Sequence, residues 1–255
     1  MNLKKPPIVE MWVEFYFDPN TSRSVEPARK FLNEFADQYP KAEVARQDTL
    51  QFRHVSPTQL PEVVGREVSI SHFRVSNEAG SRWIHLTPNH LVCNFLRLGE
   101  SYPEFKVLSE DAVSKLKRFV ELCQPSRIRH AAVHYVDVID IPLPPSKEIL
   151  LSDYFALGLD LPSNPFGNQL SFLLRTSVQP TDGTGLLEIQ LQNELRAGDA
   201  PGLRFRMDWH KLCPYDKEVD PGRIPADLAQ AHASVMRCFR AAFTERTWAL
   251  FEPEE

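Results

Sequence analysis

From Ile8 to Asp18 hydrophobic and polar positions alternate. Met11, Val13, Phe15 and Phe17 fall on one side, and Glu10, Trp12, Glu14, Tyr16 and Asp18 on the other. That period of two predicts a half-buried β-strand, ended by Pro19-Asn20. Ala28, Phe31, Leu32 and Phe35 then keep a helical period over about Val25–Tyr39, with Ser24 near its start and Pro40 at its end. Short strands are predicted over Leu50–Val55, Glu67–Val75, Arg82–Thr87 and His90–Arg97, with Pro88-Asn89 turning between the last two. A helix over Pro103–Cys123 carries Leu108, Ala112, Leu116, Phe119 and Cys123 on one stripe. Ser109 and Asp111 mark its start, and Pro125 stops it.

A long strand, Ile128–Ile141, opens the second half. Pro142, Pro144 and Pro145 lead to a short predicted helix, Lys147–Leu157. Leu170–Val178 and Leu186–Leu195 read as strands joined by a segment with an Asp182-Gly183 turn signal. Leu203, Phe205, Met207 and Trp209 alternate with Arg204, Arg206, Asp208 and His210. Ile224–Phe251 reads as one long helix with Leu228, Ala231, Val235, Cys238, Phe239, Ala242 and Phe243 on its apolar side, suited to lie across a sheet.

The elements run β-α-β-β-β-β-α over residues 1–125 and β-α-β-β-β-α over residues 126–255. An offset of 120 residues pairs Val13 with Val133, Phe15 with Tyr135, Leu116 with Met236 and Phe119 with Phe239. The expected fold is therefore α+β: two tandem modules with curved antiparallel sheets and helices packed on one face. This element order resembles the TATA-binding-protein fold and its helix-grip relatives, a resemblance that transfers no function.

The 255 residues suffice for two modules, each with its own core, and a 42% hydrophobic, 25% charged composition is that of a globular chain. Residues 1–125 hold 16 basic and 16 acidic groups, and residues 126–255 hold 13 and 18. Neither half has the cationic excess that neutralises several phosphates, so nucleic acid is disfavoured, with Arg53, Arg66, Arg74 and Arg82 as the one local stripe to examine. Glycine is scarce, at 10 residues, and no phosphate-cradling glycine motif occurs. No serine-hydrolase elbow, His-Glu-x-x-His or deaminase signature occurs either. These absences favour binding over catalysis and leave an unmarked enzyme open. Met1–Pro7 has no apolar run behind it, and Cys93, Cys123, Cys213 and Cys238 are widely spaced, as expected of reduced thiols in a cytoplasmic protein.

Three constellations have metal-ligand or catalytic residue types. His130 and His134 share a strand face that by even spacing also holds Asp140, but a metal needs further ligands. His210 and Cys213 lie three apart with no second pair. Asp137 and Asp140, three apart on a strand, fall on opposite faces and cannot act as a carboxylate dyad. No metal or other cofactor is expected. The most informative feature is a polar sheet face in the second half. Ser171 and Arg175 belong to one strand, Glu188, Gln190, Gln192 and Glu194 to the next, and Arg204, Arg206, Asp208 and His210 to the third. Glu10, Trp12, Glu14 and Tyr16 would form the matching face of the first half, with Trp12 and Tyr16 standing out on an otherwise acidic surface. Such a platform, rich in Arg and Gln, suits contact with another protein.

Pro6-Pro7-Ile8-Val9-Glu10 with Phe17-Asp18-Pro19, Tyr102-Pro103, His134-Tyr135-Val136-Asp137-Val138-Ile139, Asp153-Tyr154-Phe155 and Phe239…Phe243-Thr244-Glu245…Trp248…Phe251 resemble a sporadically distributed, uncharacterised bacterial protein family of about this length. That family more often carries Arg and Asn where His134 and Asp137 stand. The resemblance implies a shared two-part fold and a bacterial cytoplasmic setting, and its sporadic distribution suggests a defence or toxin-neutralising locus. The leading expectation is a non-catalytic protein that binds another protein. One alternative is a small ligand or substrate held under the C-terminal helix by Phe172, Phe205, Trp209 and Phe239. The other is nucleic acid on the sheet face.

Overall fold

A computed structural model describes residues 5–18, 26–53, 62–87, 89–98, 104–142, 149–157, 173–179, 185–194, 202–216 and 218–252, with backbone alone at 46–53, 62–71 and 194. The fold is α+β, built on a large, curved, open antiparallel sheet. Nine strands enter it: β1 (Ile8–Phe17), β2 (Lys41–Arg53), β3 (Glu62–Ser76), β4 (Arg82–Thr87), β5 (His90–Leu96), β6 (Ile128–Pro142), β7 (Leu173–Val178), β8 (Leu187–Glu194) and β9 (Gly202–Pro214). Their order across the sheet is β2-β3-β4-β5-β1-β6-β9-β8-β7. The first strands of the two halves therefore meet in the middle, where Val13 lies directly opposite Val133.

Alternation sorts the side chains. Met11, Val13 and Phe15 on β1, Val133 and Tyr135 on β6, and Phe205, Met207 and Trp209 on β9 point to one face and are fully or almost fully buried. The helices lie on that face: α1 (Glu26–Asn33) and α2 (Phe105–Cys123) from the first half, α3 (Ile224–Ala242) and α4 (Glu245–Leu250) from the second. Phe31 of α1 and Phe17 of β1 both pack on Phe119 of α2, at 5.4 and 4.9 Å between ring centres. Where α2 meets α3, Phe105 stacks on His232 at 4.2 Å, and the Tyr135 hydroxyl donates to His232 Nδ1 at 2.5 Å. Burial pushes that imidazole down to about 4, so it stays neutral and able to accept. None of the helices among the described residues is long and apolar enough to cross a membrane. None of the four cysteines forms a disulfide, and Cys93 is buried.

Four predicted elements change. The first helix stops at Asn33, because residues 34–38 switch to three-residue turns such as Phe35 N–H to Leu32 C=O. Within the predicted helix Lys147–Leu157, the described residues form one 3₁₀ turn, Leu151–Asp153. Its following backbone groups bond to the end of α3 instead of to each other: Ala156 N–H to Ala242 C=O, and Thr244 N–H to Tyr154 C=O. The same bridge breaks the predicted C-terminal helix. Phe243 is extended and pairs with Phe155, so the chain restarts as α4 with Thr244 at its N-cap. Around this break Phe239, Phe243, Trp248 and Phe251 pack edge to face at 5.0–6.1 Å. Beside them Lys5 N–H donates to Phe251 C=O at 3.1 Å, and Lys5 pairs with Glu252. Of the predicted strand Leu50–Val55, Leu50 to Arg53 is the far part of a longer one that begins at Lys41, and residues 54 and 55 lie outside the described residues.

Two sites in this frame are tightly constrained. Gly185, entering β8, has φ +57°, and a Cβ there would lie 2.0 Å from the Leu212 carbonyl oxygen. Gly185→Ala is expected to lower unfolding free energy by about 2–4 kcal/mol in chemical denaturation, from left-handed strain plus a backbone clash. Asp137, 1% exposed, accepts from Trp209 Nε1 at 2.7 Å on Oδ2, while Oδ1 has no partner. Burial pushes its carboxyl up to about 7, against the opposing pull of the Trp209 bond and of Arg97. A folded-state value above the unfolded 3.8 means the folded protein holds the extra proton, so this stabilisation is complete below 3.8 and lost as pH rises through about 7. The melting temperature of Asp137→Asn minus that of wild type should therefore climb between about pH 4 and 7 and then level off. A difference that is constant with pH would exclude this role.

Candidate functional site

The face of the sheet opposite the helices is polar across its width. By strand register it carries all ten residues read from the sequence as a contact surface: Trp12, Tyr16, Arg175, Glu188, Gln190, Gln192, Arg204, Arg206, Asp208 and His210. Ser171 lies outside the described residues, as does the Glu194 side chain.

At the centre of this face stands Glu14, only 5% exposed. His90 on β5 meets Oε2 through Nε2 at 3.0 Å, and His210 on β9 meets Oε1 through Nε2 at 2.7 Å. His210 lies two strands away. It reaches Glu14 because the intervening strand places Ala132, a single methyl, opposite the carboxylate. Since the carboxylate accepts, both Nε2 atoms carry hydrogens, which fixes the orientation of each ring. Burial opposes ionisation of Glu14, but the hydrogen bonds from His210 and His90 and their charge outweigh it, holding the carboxyl well below the usual carboxylate range. Burial likewise disfavours a charged His210, yet Glu14 and then Glu188 overcome it and raise its pKa.

Aromatic rings extend the cluster on both sides. Trp12 stacks on His134 at 3.6 Å, and His134 stacks on His210 at 5.3 Å. Tyr16 lies between His90 at 3.9 Å and His130 at 4.2 Å. Further into the first half, His72 meets His85 edge-on at 4.8 Å, and Arg74 sits over the Trp83 ring. Six of the seven histidines among the described residues thus share this face. His85, His130 and His134 are pushed down, burial being the main cause in each, and His85 reaches about 4.

The second-half arginines are already engaged. Arg204 grips Asp140 with two bonds of 2.9 Å, and Arg206 grips Asp208 with two of 3.0 Å. Arg175 pairs with Glu188 at 2.9 Å. The two forks fix Arg204 and Arg206 in orientation against their carboxylates.

The other predicted constellations come apart. Asp140 is bound to Arg204, and six residues of strand, about 20 Å, separate it from His134. His210 faces Glu14, whereas Cys213 points to the helix side and donates to the Asp227 carbonyl at 3.7 Å. Among the described residues no three His, Cys, Asp or Glu side chains are arranged to hold a metal. Asp137 is buried against Trp209 on the helix face and Asp140 lies on the open face, so they are separated as their spacing requires. Of the arginine stripe, Arg74 is on the open face and Arg82 on the other, over Phe95. The side chains of Arg53 and Arg66 lie outside the described residues. Phe205, Trp209 and Phe239 are packed into the core, Trp209 on Phe239 at 6.1 Å and Phe205 on Phe155 at 5.3 Å. Phe172 is outside the described residues.

Sequence reasoning missed Glu14 and His90 as the organising pair. Their strand faces were legible, but the convergence of β5 and β9 on one residue of β1 depends on strand order. No protein-family model matches the chain, and no curated protein sequence matches it.

Replacing Glu14 by Gln removes the charge and keeps the shape. The pair contributes most between about pH 4.5 and 6.5: Glu14, depressed, loses its contribution as pH falls below that window, and His210, raised, loses its own as pH rises above it. Thermal melts should show the largest destabilisation of Glu14→Gln inside that window. The His210 ring signals in an NMR titration should shift to lower pKa in the variant. An unchanged His210 titration would refute the assigned coupling.

Proposed function

We propose that the protein is a non-catalytic binding protein whose open sheet face receives another protein. The carrying observation is the build of that face: stacked Trp12, Tyr16 and histidine rings beside arginine–carboxylate pairs, spread over several strands and fixed before any partner arrives. Rigid aromatic and arginine side chains dominate protein contact energetics. Cations and carboxylates alternate on the face, a pattern that complements a mixed protein surface better than a phosphate backbone.

The two halves are, in this reading, tandem copies in a TATA-binding-protein-like arrangement. Supporting it, the 120-residue offset that relates them also relates Val13 to Val133, the pair facing each other at the middle of the sheet. An antiparallel pairing of equivalent strands at equivalent residues is what a local two-fold axis produces.

The test is affinity capture from native lysate with three baits. Wild type should retain a specific protein. Trp12→Ala combined with Arg175→Glu should lose it, and Gln230→Glu, on the exposed side of α3, should retain it. Retention by all three baits, or by none, would overturn the assignment.

A further inference from the structure

We propose that the open face docks an acidic segment of its protein partner and takes up protons as it does so; this rests on that face being the partner surface. Register places five cationic side chains on it among the described residues: Lys41, Arg74, Arg175, Arg204 and Arg206. Six carboxylates share it: Glu10, Glu14, Glu43, Asp140, Glu188 and Asp208. With the histidines neutral the described side chains of the face sum to −1, and six protonated imidazoles would bring that sum to +5. Few protons therefore change its sign.

The neighbours of each imidazole determine which ones can charge. His210 already faces two carboxylates, Glu14 from β1 and Glu188 from β8. His134 faces Trp12, His210 and Asp208, the last already bound by Arg206. His130 faces Tyr16, with Glu14, His210, His90 and Arg129 acting on it from farther off. His85 faces His72, Arg74 and His90, and among the described residues no carboxylate acts on it. The Nε2 atom of His85 is buried without a hydrogen-bond partner, and that of His134 is buried 3.5 Å from Asp208, a carboxylate that Arg206 already holds. Carboxylates seated over this face would supply the missing counter-charge, favour the imidazolium forms, and couple binding to proton uptake.

A protein segment fits better than a nucleic acid. A phosphate chain carries a charge at every step and would meet a carboxylate beside almost every cation. A protein segment can set its carboxylates over the imidazoles and leave the face's own carboxylates uncontacted.

Titration calorimetry of the full chain with poly-L-glutamate at pH 7.5 and 6.0, in buffers of differing ionisation enthalpy, tests this. The expected result is about tenfold tighter binding at pH 6.0 with net uptake of roughly one proton or more. His85→Gln/His130→Gln/His134→Gln, checked for folding by circular dichroism, should lose most of that pH dependence, whereas His232→Gln should keep it. No proton uptake, equal pH dependence in the triple variant, or tighter binding of a charge-matched oligo-dT would overturn the proposal. If capture by the open face holds while proton uptake is absent, this inference fails and the binding assignment stands.

Discussion

The antiparallel ladder between β1 and β6 is the constraint on which the rest depends. It joins the halves into one sheet, and every other strand is placed by its distance from it. Its register also decides which residues reach the open face. A slip of one position would drive Glu14, Trp12 and Tyr16 under the helices and expose Val13 and Phe15. The buried stack of Met11, Val13, Phe15, Val133 and Tyr135 penalises that slip strongly. The polar face is thus specified by the apolar one, and the site needs no separate folding determinant.

Two acidic residues near this ladder show how a sheet assigns opposite fates to one chemical group. Glu14 and Asp137 are both almost fully buried. Glu14 has two imidazole donors, one from each half, and stays ionised. Asp137 has a single indole donor and an oxygen left without a partner, so burial prevails and the neutral acid is favoured. The number of donors, more than the depth of burial, separates a fixed charge from a proton store.

Much of this architecture was legible in the chain. Clean alternation in Ile8–Phe17 and Leu203–His210 placed their side chains on the correct faces, because a period of two is a local property. The helices over 105–123 and 224–242 were legible for the same reason. Failures arose where distant segments compete for the same backbone groups. Phe155 and Phe243 both look helical in isolation, but they pair with each other and break both predicted helices. The site divides the same way: Trp12, Tyr16 and the second-half platform could be read from alternation, while the meeting of His90 and His210 at Glu14 required knowing that β5 and β9 flank the central pair. Even spacing also overstated what a strand face can gather, since Asp140 shares a face with His134 but not its neighbourhood.

The bond from Lys5 N–H to Phe251 C=O ties together two stretches far apart in sequence. Lys5 lies three residues before the strand at the middle of the sheet, and Phe251 belongs to the aromatic cluster that closes the helical layer. Loosening α4 therefore removes an anchor from the entrance to β1, and loosening that entrance uncovers the end of α4. Local opening at either position propagates to the other, so solvent exchange at the two should rise and fall together as one cooperative unit.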